Sequence, residues 1–134
     1  MAGDASVHFR SYGGTLDEDI DQSVDAYASA IVHKNPNITD TAARVAIGEG
    51  FDLFIGLITE DPSTALTEGS KLSHKDWSTA TTRGVGILFR QHGVTTEDAL
   101  RSKLDLLEQV KDRLVYPEEI ESVENQDEGE GGDS

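Results

Sequence analysis

Only one segment of this chain alternates, and everything after it carries helical spacing. In residues 5–12, "ASVHFRSY", Val7 and Phe9 fall on one face while Ser6, His8 and Arg10 fall on the other, as a half-buried strand requires. No second strand follows. A lone strand leaves its N–H and C=O groups without partners. Two solutions exist: the segment is a disordered arm, or it pairs with the same strand of a second chain across a two-fold axis.

The remainder reads as helices. Gly13-Gly14 break the strand, and Thr15 with Glu18 forms a capping box ahead of Asp17, Glu18 and Asp19 in a first turn. Leu16, Ile20, Val24, Tyr27 and Ile31 keep the helical period. "KNPN" ends that helix, and Asn37 is placed to cap a second one from about Ile38 to about Ile58, with Asp40 at its third position. "TEDPST" breaks it at Pro62. A third helix is expected over Lys75–Gln91, with Trp77, Ala80, Val85, Leu88 and Phe89 as core and Gly93 as terminator. The clearest pattern is Leu100, Leu104, Leu107, Val110 and Leu114, one stripe of a helix starting at Thr95 and stopping at Pro117. The end, "EGEGGDS", is an acidic low-complexity stretch expected to be disordered.

Charge narrows the class of partner. Twenty-six acids face 11 bases, a net charge of −15. The last twenty residues hold eight of those acids and no base, yet the rest of the chain is still acidic. An acidic bias spread this widely, with few lysines, resembles the surface style of extreme halophiles, archaeal-like in character, where molar salt screens self-repulsion within roughly 3 Å. There is no cysteine, so disulfides and thiolate metal sites are excluded. No apolar run approaches a membrane span and no signal pattern opens the chain, so a cytoplasmic protein is expected. His8, His33, His74 and His92 are dispersed without metal-ligand spacing. No nucleophile-elbow, phosphate-loop or zinc motif accompanies "SHKDW" at 73–77. Neither an enzyme nor a cofactor is expected.

Strand, helix, helix is also the order of the ribbon-helix-helix family of dimeric DNA-binding proteins. "DTAARVAIGEGF" (40–51) resembles that family's second helix in Ala42, Ala43, Arg44, Val45-Ala46-Ile47 and Glu49-Gly50-Phe51. "VHFR" (7–10) resembles its strand. The likeness covers residues 5–55. "SYGGT" departs from the usual link after the strand, "HKNPN" is long for the inter-helix turn, and Gly48 stands where a basic residue is usual.

The resemblance implies a mainly α homodimer. Its ribbon-helix-helix core over residues 1–60 would have one N-terminal strand paired across the dimer. A helical extension (61–116) and an acidic tail (117–134) would follow. Val7, Phe9, Ile20, Val24, Ala43 and Ile47 would form the dimer core. Ser6, His8 and Arg10 would read base edges of double-stranded DNA, Arg10 bidentate to a guanine. Asn37, Thr39 and Thr41, at a helix N-terminus, would hold phosphate. Arg44 is expected in an intramolecular ion pair with Glu49, Asp40 or another nearby acid. The implied function is a sequence-specific DNA-binding regulator, nucleoid-associated, such as a small repressor or a plasmid or virus regulator. Residues 95–115 would support higher oligomers. Acidity opposes phosphate approach, and so motivates the alternative: an acidic protein-interaction module, such as an antitoxin, adaptor or virion assembly component, built on the same dimer core.

Overall fold

The computed structural model describes residues 9–67 and 77–116. Among the described residues there are six helices: α1 Leu16–Lys34, α2 Asp40–Glu60, α3 Pro62–Thr67, α4 Trp77–Gln91, α5 Glu97–Arg101 and α6 Leu104–Val115. The mainly α expectation holds. Among the described residues there is no strand, which corrects the ribbon-helix-helix core.

The reason lies in how Phe9–Tyr12 are held. The Phe9 ring is buried in its own chain, edge-on to Tyr27 at 5.5 Å and to Phe51 at 6.0 Å. Gly84 makes room for it, since a Cβ there would stand 2.9 Å from Phe9 Cβ. Backbone groups that a partner strand would have satisfied find side chains instead. The N–H of Arg10 donates to Ser23 Oγ at 3.1 Å, and the N–H of Ser11 donates to Gln91 Oε1 at 2.9 Å. Helices α1 and α4 thus replace the second strand, and no cross-dimer ribbon is formed by these residues.

Local chemistry sets the helix ends. The Thr15–Glu18 capping box is formed, with Glu18 N–H on Thr15 Oγ1 at 3.2 Å and Thr15 N–H on Glu18 Oε1 at 3.0 Å. The cap of α2 is Thr39, accepting from Ala42 N–H at 3.0 Å, two residues later than Asn37. Pro62 breaks α2 and also opens α3, because a first-turn proline needs no N–H donor. Asp61 caps that turn, its Oδ2 taking the Thr64 hydroxyl at 2.7 Å. Gly93, at φ +82°, ends α4 as expected. The leucine-rich stripe is two helices, α5 and α6, broken at Ser102-Lys103, where Ser102 Oγ turns back to Ala99 O at 2.6 Å.

Helix α2 is the centre of the body, with α1, α4 and α6 packed around it. Gly48 and Gly50 make this possible. Two residues turn a helix by about 200°, so the pair sits on nearly opposite faces. A Cβ on Gly48 would meet Val115 Cγ2 at 2.7 Å and Leu114 Cβ at 3.0 Å, where α6 crosses. On Gly50 it would meet Thr81 and, at 2.8 Å, the carbonyl of Ser78, where α4 crosses. The Thr82 hydroxyl reaches Gly50 O at 3.1 Å through that gap, sharing its proton with Ser78 O at 2.9 Å. "GEGF" is therefore a two-sided contact surface. Ile20, Val24, Ala43, Ile47, Leu107, Val110 and Leu114 join Phe9 in one core within a single chain.

Candidate functional site

The structure divides the residues expected to touch DNA. Ser6, Val7 and His8 lie outside the described residues, as does the acidic tail. Arg10 is exposed, with its guanidinium over the Tyr12 ring at 5.1 Å. Asn37, Thr39 and Thr41 are exposed at the start of α2. Arg10 is tied to Ser23 of α1, whereas Asn37 follows the end of that helix. Eleven residues of α1 separate Ser23 from Lys34, about 16 Å along the axis. The two groups do not converge. The Thr39 hydroxyl is already used as a cap, and Asp40 occupies the same turn.

Near the N-terminal segment lies a buried carboxylate, Asp19, with no exposed surface. His92 Nε2 stands 2.6 Å from its Oδ2, and the Gly14 N–H donates to its Oδ1 at 3.3 Å. Burial alone would raise the pKa of Asp19. The hydrogen bonds from His92, the Tyr12 backbone, the Ser11 side chain and Gly14 outweigh it and hold the group below its ordinary value of 3.8. This cluster fastens the segment to α1 and to the end of α4.

An open recess lies between α1 and α6. Asp17, Asp21 and Asp25 are spaced four residues apart and line one face of α1. Leu106, Gln109, Val110, Arg113 and Leu114 face them from α6. The recess has two lobes, about 510 and 380 Å³, which share Asp21, Val110 and Arg113 and so form one open groove. Its floor is closed by the buried Val24, Val110 and Leu114, with Leu106 partly exposed; Asp17, Asp21, Asp25 and Asp112 form its rim.

Its two arginines are bound by acids of the same chain. Arg113 Nη2 lies 3.4 Å from Asp21 Oδ1, bridging the groove. Arg44 reaches Asp40 at 2.7 Å and Asp25 at 2.9 Å, rather than Glu49. The Asp40 hydrogen bond raises the pKa of Arg44, burial works against it, and Asp25 adds to the rise. Lys111 is similarly surrounded by Asp112 at 3.4 Å, Glu108 at 3.5 Å and Asp52 at 4.0 Å. Burial would lower the pKa of Lys111, but the nearby Asp112 and Glu108 carboxylates carry it upward.

In the sequence the stripe of 100–114 reads as one helical face within a segment (95–115) suited to oligomers, and nothing there joins it to the aspartates of α1. Their i, i+4 spacing was the available signal; the pairing of α1 with α6 was not. Among the described residues no group of three or more His, Cys, Asp or Glu is placed to hold a metal ion, and no helix is long and apolar enough to cross a membrane. Comparison with protein-family models, with curated proteins and with solved structures finds no match, so the likeness of residues 5–55 to ribbon-helix-helix proteins rests on its short motifs alone.

Proposed function

We propose that this chain is an acidic helical protein-interaction module that recognises a positively charged segment of another protein. The carrying observation is that four of its eleven lysines and arginines, Arg44, Arg101, Lys111 and Arg113, each lie within 4.0 Å of a carboxylate of their own chain. Neutralised in this way, they offer little to phosphate, while the net charge of −15 favours a basic partner by complementarity. The ribbon that would have supplied base contacts is replaced by a segment packed on α1 and α4, which weighs against major-groove reading. The halophile-like composition adds that this recognition works in high salt, where apolar contact contributes more of the affinity than charge.

Paired selections test this. The immobilised chain is offered a random peptide library and a random duplex DNA library at ~0.2 M and ~2 M KCl, a range over which screening lengths shrink to a few ångström. Enrichment of lysine- and arginine-bearing peptides, with no enriched duplex, is expected. An enriched DNA site lost on Arg10→Ala would overturn the proposal.

A further inference from the structure

We infer that the groove across α1 and α4, closed in this structure by the chain's own residues 9–14, is a peptide-recognition site. Its ligand is an extended, acid-free segment of the partner that inserts one aromatic ring and carries basic residues beside it. The site rests on the protein-interaction reading and gives the ligand a place and a form.

The chain's own occupant shows what the groove selects. Residues 9–14 form no helix or strand, and only Phe9 among them is buried. Its ring fills a recess walled by Tyr27 of α1, Phe51 of α2 and Gly84 of α4. A Cβ on Gly84 would stand 2.9 Å from Phe9 Cβ, so the recess depends on that glycine. The backbone beyond the ring is held by helix side chains. Ser23 Oγ accepts from Arg10 N–H at 3.1 Å and donates to Arg10 O at 3.4 Å. Gln91 Oε1 accepts from Ser11 N–H at 2.9 Å, and Asp19 Oδ1 from Gly14 N–H at 3.3 Å. Bonds to the main chain hold any extended segment, while the recess chooses the ring, which is how extended peptides are recognised. Charge sets the flanks. Residues 5–14 include His8 and Arg10 and no acid, in a chain with 26 acids, and they lead into a first turn of α1 holding Asp17, Glu18 and Asp19.

The occupant is built to leave. A surface segment holding on by one ring opens locally before the helices do. Its tether includes Gly13 at φ +95°, where a Cβ would have nothing within 4 Å. A side chain at Gly13 therefore strains the closed tether without touching the groove. The closed segment competes with the partner and lowers its apparent affinity, so weakening closure tightens binding by the same factor.

The test titrates a peptide of residues 7–14 into the full chain, with calorimetry and amide shifts as readouts and thermal melts confirming that each variant is folded. Gly13→Val should bind the peptide about fivefold or more tighter than wild type, with Gly13→Ala between them. Shifts should centre on Ser23, Tyr27, Gly84 and Gln91. The peptide carrying Phe9→Ala should not bind, and the one carrying Arg10→Glu should bind about threefold more weakly at ~0.2 M KCl, with the difference shrinking at ~2 M. Equal affinities for wild type and both Gly13 variants, or equal binding of the Phe9→Ala peptide, would overturn the site. A dimer of Gly13→Val by light scattering at ~5 μM would overturn it in favour of a second copy as occupant. Basic peptides enriched by the library selection should compete with this peptide; their failure to do so would overturn the groove while leaving basic-segment recognition intact. A selection that enriches no basic peptide would defeat the interaction reading itself.

Discussion

The hydroxyl of Thr82 is shared between two carbonyls, Ser78 of its own helix at 2.9 Å and Gly50 of α2 at 3.1 Å, so α4 meets the backbone of α2 where no side chain intervenes. Gly50 is therefore a packing requirement. Gly50→Ala should destabilise the protein by about 1–3 kcal/mol, because the added methyl meets the Ser78 carbonyl and Thr81. Gly56 lies in the same helix with nothing within 4 Å of a built Cβ. Gly56→Ala should stabilise by about 0.5–1 kcal/mol through helix propensity alone. Urea unfolding of the two variants reads opposite signs; two changes of the same sign would refute this packing account.

Phe9 anchors the N-terminal segment against Tyr27, Phe51 and Gly84. Truncation to alanine should cost about 3–5 kcal/mol, the range for a buried phenylalanine. If Phe9 instead served a dimer, the loss would depend on protein concentration. Melts at ~5 and ~200 μM should give the same midpoint for each protein, since mass action moves the midpoint only where folding and association are linked.

These two sites show what was legible in the sequence. Short-range chemistry was: the Thr15–Glu18 box, the Pro62 break and the Gly93 stop all follow from neighbours within four residues. Long-range satisfaction was not. The lone alternating segment called for hydrogen-bond partners, and a second strand is the nearest local solution. One of the partners used is Gln91, eighty residues from Ser11. Gly48 likewise had no local reason, because its reason is Leu114 and Val115 on α6. The groove was half visible: the ladder of Asp17, Asp21 and Asp25 could be read, but only the packing of both α1 and α6 on α2 brings Val110 and Arg113 opposite it.

Asp19 makes a pH prediction. Its pKa in the folded chain lies below 3.8, so the unfolded chain binds the proton first as acid is added. The stabilisation is complete above that value and is lost as the pH falls through it toward the folded pKa. Asp61, lowered by its hydrogen bonds from Thr64, adds in the same direction. Thermal midpoints should be level at mildly acidic pH and fall below about pH 4. Asp19→Asn should lower the plateau and flatten the acid limb. An unchanged acid limb in that variant would show that Asp19 is not a source of it.

The charge of −15 makes a salt prediction. Self-repulsion reaches across about 8 Å at physiological ionic strength and about 3 Å at molar salt. The thermal midpoint should climb steadily between ~0.2 and ~2 M KCl. A flat response would remove the halophile reading of the composition.

The central claim is that this chain binds a basic protein segment and not DNA. Amide chemical-shift mapping of the labelled protein tests it most directly, with a lysine-rich peptide from the library selection and pooled duplex DNA titrated separately. The peptide should shift amides with saturation, and the duplex should shift nothing beyond salt effects. Saturable shifts from the duplex at Arg10, Thr39 and Thr41, with no response to the peptide, would contradict it.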